Sequence, residues 1–383
     1  MSRSVGDRRR GSMDVHSSGT DILVMQSITR CCPPDTALGM TIDVDFTKGS
    51  VNSFVSSGGG AVSYGTDGAT FTVAKSGDAP QLSSVFYIMF GRVEFTMKSA
   101  PGAGIVSSLV MLSDALDEID MEWLGADGTE VQTNYFGKGQ TTTYNRGQFN
   151  PAANNQGDFI TYTIDWTADQ IVWSVGGTVV RTLAAADAET GQYPQTPMQV
   201  RFGAWAGGDP ATNAPGTVQW ARGPTNYADG PFSMVVKSIV VADYSTGKQY
   251  VYGDQSGTWQ SIQAVDGKVG ANEGTGEHTV TATATAAANT ALSPSVPAGG
   301  IGAGAGAGAG GNAGADTSAT ETGWPWVPTA TSASGGTIPD GWVMTSSGKI
   351  VPASSNSIKP PHLSIITAQL CGCLFFGVAL FWR

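Results

Sequence analysis

The feature that most constrains this chain is an alternation of apolar and polar residues in short segments, cut apart by Gly, Asn, Asp and Pro. It runs from Cys32 to about Gln263. FTVA (71–74), GRVEFTMK (91–98), GTEVQTNYF (128–136), FITYTIDW (159–166), QIVWSVGG (170–177), MQVRFGAW (198–205) and FSMVVKSIVVADY (232–244) all carry it. Period two with β-branched and aromatic enrichment marks strands with one buried face, and no helical pattern of similar length competes. TADQ (167–170) reads as the loop of a hairpin. So many short strands predict an all-β fold, a sandwich or a barrel.

The cysteines, at 31, 32, 371 and 373, leave nothing between Pro33 and Leu370 that can be cross-linked, so packing alone must hold this fold. His16, His278 and His362 all lie outside the alternating region. Histidine is thereby removed as base, nucleophile partner or metal ligand, and carboxylates remain for acid–base work. The net charge of −11 argues against nucleic acid or anionic lipid as partner. A neutral substrate fits better, and 10 Trp and 10 Tyr suit an extracellular protein with aromatic contact surfaces.

Only 13% of residues are charged, yet DEIDMEWLG (117–125) places acids at every second position. On a strand Glu118, Asp120 and Glu122 share one face, while Ile119, Met121 and Trp123 point oppositely into a core. A solvated edge would more economically alternate in sign, and a calcium site would need loop oxygens that nothing marks. Catalysis explains the triad better. One glutamate would be ionised to attack an anomeric carbon, the other protonated to release the leaving oxygen, with the aspartate between them, and the three would titrate as one system. Residues four apart are read as ~6.5–7 Å apart along the strand, a spacing taken to favour retention over inversion, with the flexible glutamates leaning to the ~5–5.5 Å separation of retaining glycosidases. No metal and no cofactor is expected.

Both ends differ from the middle. Residues 1–30 lack an apolar segment long enough for a secretory signal and read as a doubtful start, with 31–262 as the catalytic domain. Residues 263–355, rich in Ala, Thr, Gly and Ser with GAGAGAGAG at 302–310, are expected to form a disordered stalk. Residues 356–383 end in an apolar run preceded by the spacer IKPPH and a small polar cluster. This order marks a glycosylphosphatidylinositol signal with Ser354, Ser355 or Asn356 as attachment residue; a tail-anchoring helix is the competing reading.

DEIDMEWLG resembles the D-E-I-D-x-E signature of glycoside hydrolase family sixteen, and the chain resembles the fungal Crh-type chitin–glucan transglycosylases. The likeness extends through CPPDTALG (32–39), VQTNYFGKG (131–139), MQVRFGAWAGGD (198–209) and GTVQWARGPTNY (216–227). It implies a β-jelly-roll sandwich of two antiparallel sheets, with Glu118 as nucleophile, Asp120 as assisting carboxylate and Glu122 as acid and base. It also implies sugar contacts at Glu122, Arg201, Trp205 and Thr217. Independently, Trp205 and Trp220 lie in Gly/Pro-flanked segments suited to stacking on a sugar, and Asn134 with Tyr135 follows on the neighbouring strand. Trp166 and Trp173 fit core positions, Arg201 could equally be a surface charge, and Arg222 could instead stabilise a loop by pairing with Asp229, which ranks it below the other candidates. The adjacent Cys31 and Cys32 depart from the family's spaced pair.

By the resemblance the partners are chitin and β-glucan, and the protein is a monomer at the outer face of the plasma membrane and in the cell wall, held by its lipid anchor alone. Two other activities compete with transfer. One is hydrolysis by an endo-β-glucanase or chitinase; the other is a non-catalytic wall lectin, which has no need of three repelling acids.

Overall fold

The computed structural model describes residues 33–140, 144–274, 279–282, 342–344 and 350–352. The chain opens with β1 (Asp35–Thr36), β2 (Thr41–Asp45), β3 (Phe54–Gly59), β4 (Val62–Gly65), β5 (Gly68–Val73) and β6 (Ala79–Ile88). It continues through β7 (Gly91–Lys98), β8 (Ile105–Ser113), β9 (Glu118–Leu124), β10 (Glu130–Phe136), β11 (Gln148–Pro151) and β12 (Ile160–Trp166). Then come β13 (Gln170–Val175), β14 (Thr178–Ala184), β15 (Met198–Ala206), β16 (Phe232–Asp243), β17 (Gln249–Tyr252), β18 (Ile262–Val265) and β19 (Thr279–Ala282).

Two sheets form the sandwich. One is seven-stranded in the order β11-β10-β9-β8-β15-β6-β3; the other runs β14-β13-β12-β7-β16-β2-β19, with β5 on β16 and β4 on β5. Alternation dictates which side chains meet between them. Strand β7 alternates buried and half-buried along its whole length and β10 does so in the opposite phase, each giving one face to the core. From the first sheet, Trp123 stands edge-on against Tyr162 at 4.6 Å, and Phe202 contacts Phe95 at 5.1 Å and Phe71 at 5.7 Å. Such pairs contribute about 0.5–1.5 kcal/mol each beyond their burial, which is how a core without cross-links holds. Trp166 and Trp173 are fully buried, as their strand pattern implied.

TADQ closes the β12–β13 hairpin, with the Thr167 amide donating to the Gln170 carbonyl at 2.9 Å. Hydrogen bonding continues past residue 262, the expected end of the domain: β18 begins there, and the Asn272 amide donates to the Tyr244 carbonyl at 2.8 Å. Residues 1–30, Cys31, Cys32, most of the 263–355 stalk, the 356–383 signal and its candidates Ser354, Ser355 and Asn356 lie outside the described residues. Among the described residues, no helix is long and apolar enough to cross a membrane.

Candidate active site

Strand β9 runs between β8 and β10 in unbroken register, with Glu118, Asp120 and Glu122 opposite Leu112, Val110 and Ser108 on one side. On the other side they meet Phe136, Asn134 and Gln132. Because Ile119, Met121 and Trp123 fill the core, the three acids face outward together. Glu118 is 4% exposed and Asp120 only 1%, so this face is sunk among its neighbours rather than a solvated edge.

The backbone separation corrects one expectation. Four rises of ~3.3 Å put the Cα atoms of Glu118 and Glu122 ~13 Å apart, and only residues two apart stand ~6.5–7 Å apart. Spacing alone therefore does not favour retention. Both glutamates must lean inward over Asp120 for their carboxyls to approach ~5–5.5 Å.

The entry to β9 is pinned by Asp117, whose carboxylate is buried beneath the other face. It accepts from the Lys138 amide at 2.9 Å, the Gln195 amide at 2.8 Å and Thr196 Oγ1 at 2.7 Å, and it pairs with Lys138 Nζ at 3.3 Å. Asn134 Nδ2 donates to Asp120 Oδ2 at 3.2 Å, placing that residue on the acidic face as expected. Tyr135 is the neighbour that departs. Adjacent strand residues point to opposite faces, so Tyr135, paired in register with Ile119, turns inward and is 4% exposed. Its ring lies under the Arg146 and Arg181 guanidinium groups, at 6.0 and 5.6 Å, and cannot meet a substrate over the carboxylates.

Beyond Glu122 the face becomes aromatic. Trp205, in register with Val106 and through it with Leu124, stacks on Trp220 with ring centres 6.2 Å apart and planes at 25°. Trp220 Nε1 donates to Oε1 of Gln132, the residue opposite Glu122. Trp220 and Thr217 sit on a short helix, Pro215–Trp220, that the sequence pattern did not reveal. Three residues apart, they share one helix face. Gly203, opposite Ser108 on β15, is required by close approach: a Cβ there would lie 2.3 Å from the Pro80 carbonyl oxygen.

Across β8, toward the Glu118 end, the face is ionic. Arg201 stands opposite Val110, the neighbour of Asp120, and is a cleft residue rather than a surface charge. Burial lowers its pKa, opposed by Tyr87, Asp114 and Glu118 around it. Tyr87 Oη donates to Asp114 Oδ1 at 3.2 Å. Burial raises the Asp114 carboxyl, against the pull of Tyr87 and Arg201. Burial, reinforced by Asp114, pushes Asp35 up to about 9. Alternation alone did not single out Gln132, Tyr87, Asp114 or Asp35; cross-strand register and local packing bring them to this face.

Arg222 pairs with Asp127 at 3.2 Å and with Glu130, not with Asp229, and lies over the exposed Phe149 ring. A separate groove of about 1150 Å³, lined by Arg92, Glu94, Phe159, Thr161 and Thr163 among others, lies on the second sheet and holds none of the three acids. Among the described residues, no group of three or more His, Cys, Asp or Glu is arranged to hold a metal ion.

A β-sandwich with clustered carboxylates on one sheet, flanked by an aromatic wall and a half-buried arginine, defines an enzyme of the glycosidase class. Comparison with known proteins gives the family. The family model described as glycosyl hydrolases family 16 matches residues 49–222. Crh-like protein 4 of Botryotinia fuckeliana is 60% identical over 360 residues, covering 92% of this chain and 91% of that protein. Crh-like protein 4 of Aspergillus fumigatus is 46% identical, over 91% of this chain and 77% of its own. A solved structure, Crh5 transglycosylase in complex with NAG, is 51% identical with a TM-score of 0.59, covering 61% of this chain and 96% of that one. The chain belongs to glycosyl hydrolases family 16, among its Crh-like members.

Proposed function

We propose that this protein is a retaining transglycosylase of the fungal cell wall that cleaves chitin and passes the released chain to β-glucan. The observation that carries the reading is the single face holding Glu118, Asp120 and Glu122, with Asn134 on the central acid. The solved relative named as a transglycosylase supports transfer over plain hydrolysis. Glu118 attacks the anomeric carbon while Glu122 gives its proton to the departing chain, leaving a glycosyl ester on Glu118. Glu122 then takes the proton of the incoming hydroxyl, which attacks the same carbon and frees Glu118. If the hydroxyl belongs to a glucan, the product is a hybrid; if it belongs to water, the product is a shortened chain.

Arg201 and Asn134 would hold the donor and the central acid, and Trp205, Thr217 and Trp220 would form the platform beyond Glu122. The catalytic domain acts at the end of a stalk, tethered through a glycosylphosphatidylinositol lipid at Ser354, Ser355 or Asn356, as a monomer at the cell surface. The small-residue cluster, spacer and apolar tail support the tether. Incubation of the purified protein with chitin oligomers and a labelled β-glucan acceptor tests the activity. Label in a chitin-bearing product supports transfer. Shortened oligomers alone would point to hydrolysis, and no turnover on any β-glycan would leave a lectin.

A further inference from the structure

Arg201 is a cation with Tyr87, Asp114 and Glu118 around it, and its direction is set by an irregularity in the neighbouring strand. Between β15 and β6 the register shifts: Gln199 faces Tyr87, but Arg201, two residues on, faces Ser83, four residues back. Strand β6 thus carries two residues more than β15 at this point. Such a bulge breaks the ladder and re-aims side chains, and bulges recur beside active sites. Inside it, the Val85 amide turns away to the Ser53 carbonyl at 3.0 Å, while Ser84 Oγ takes the Val200 amide at 3.0 Å. The Ser84 carbonyl is released from the β15 ladder. Gln199 Nε2 reaches it at 2.6 Å.

The same amide then turns its oxygen to the arginine, with Arg201 Nε donating to Gln199 Oε1 at 2.7 Å. Gln199 sits opposite Leu112, which sits opposite Glu118, so this bridge lies at the Glu118 end of the acidic strand. A planar guanidinium fastened through Nε loses rotational freedom but keeps both terminal nitrogens for other partners. Those nitrogens have Tyr87, Asp114 and Glu118 within electrostatic reach.

We propose that Gln199 is a positioning residue of the transfer reaction, one that ties the bulge carbonyl of Ser84 to Arg201 Nε and so aims the guanidinium over the Glu118 end of the cleft, toward the donor glycan. The glutamine touches neither sugar nor acid; it acts through the arginine. An alanine at 199 would free both the carbonyl and Arg201 Nε, while the arginine charge remains. The inference rests on the transglycosylase reading above, so its test must separate the two.

A double-mutant cycle on the full chain does this, reading kcat/KM for transfer and, in parallel, calorimetric affinity for chitin oligomers. Gln199→Ala alone is expected to lower kcat/KM about tenfold, a coupling within the range for contacting residues. Placed on Arg201→Ala, the same change is expected to cost less than about twofold, because its only route of action is already gone. Arg201→Lys keeps the charge but has no Nε, and it too should be insensitive to Gln199→Ala. If Gln199→Ala does not fold, Gln199→Met keeps the length without the amide and serves in its place.

Losses that multiply in the double variants would overturn the proposal and leave Gln199 a structural residue. An unimpaired Gln199→Ala would overturn it as well. If the parent binds oligomers but turns nothing over, the transglycosylase reading fails while the affinity cycle still decides the role of Gln199. Absence of both turnover and binding overturns both.

Discussion

Asn134→Ala removes the Asn134 Nδ2 donor, 3.2 Å from Asp120 Oδ2, while leaving every backbone contact of β10 in place. Its acceptor is only 1% exposed, so bulk water is poorly placed to replace it. A hydrogen bond to a charged group contributes about 1.5–3 kcal/mol, and each 1.4 kcal/mol is a factor of ten in rate. If Asp120 assists the transition state, kcat should fall about ten- to a hundredfold with KM nearly unchanged, the pattern of an interaction expressed in the transition state alone. Fold stability should fall as well, by about 1–3 kcal/mol, because the buried Asp120 carboxylate loses a donor that water is poorly placed to replace. A change of 1 kcal/mol moves Tm by about 2–4 °C in a domain of this size. Steady-state transfer kinetics alongside thermal melting separate the two effects. An unchanged kcat with a lowered Tm would refute the reasoning and make Asn134 a purely structural partner of the strand.

Three more predictions concern the wall, the fold and pH. Trp220→Ala should raise the KM for the acceptor at least several-fold, by removing the ring stacked on Trp205 and the bond to Gln132; Tyr135→Phe, altering a ring that faces the core, should leave it unchanged. Trp123→Ala should destabilise by about 3–5 kcal/mol in denaturant titration, since the ring is fully buried against Tyr162 and Phe95. Burial raises Asp35 to about 9 and Asp243 to about 7, so each binds a proton in the folded chain that an unfolded carboxyl would have lost near 4. Their contribution is complete below ~4 and is lost as pH climbs through about 7 and then about 9, so Tm should fall over that window. The lowered carboxylates Asp45, Asp127 and Asp209 act only at the acid end, where their stabilisation is lost as pH falls below ~4. Asp35→Asn should flatten the alkaline part of the curve; a parent Tm that rises from pH 5 to 8 would contradict this.

Much of the fold was legible in period two. β7 coincides with GRVEFTMK, and β10, β12, β13, β15 and β16 lie within a residue or two of their alternating segments, because each buries one face. Strands β6 and β8 escaped that reading for a physical reason. APQLSSVFYI and IVSSLVMLS are buried on nearly every residue, and a strand covered on both faces does not alternate. The carboxylate face needed only parity along one strand, and parity also decides between Asn134 and Tyr135: two consecutive residues cannot both face the acids. What the sequence could not supply was register between distant strands. Gln199, Tyr87 and Gln132 reach the cleft from β15, β6 and β10 through cross-strand pairing, and the bulge that aims Arg201 arises from a mismatch of two strands more than a hundred residues apart. The Arg222 pairing failed likewise, since its partners Asp127 and Glu130 lie far from it in sequence and Asp229 is merely near.

The central claim is that Glu118 forms a covalent bond to the donor glycan, and it can be tested without reference to the acceptor. With Glu122→Gln and a chito-oligosaccharide bearing an activated aryl leaving group, the first step no longer needs an acid, while the second still lacks its base. Digestion and mass spectrometry should then find the oligosaccharide mass on the peptide that contains Glu118, and the adduct should disappear in the double variant with Glu118→Gln. Turnover of this donor to a product of inverted anomeric configuration, with no adduct on that peptide, would contradict the account.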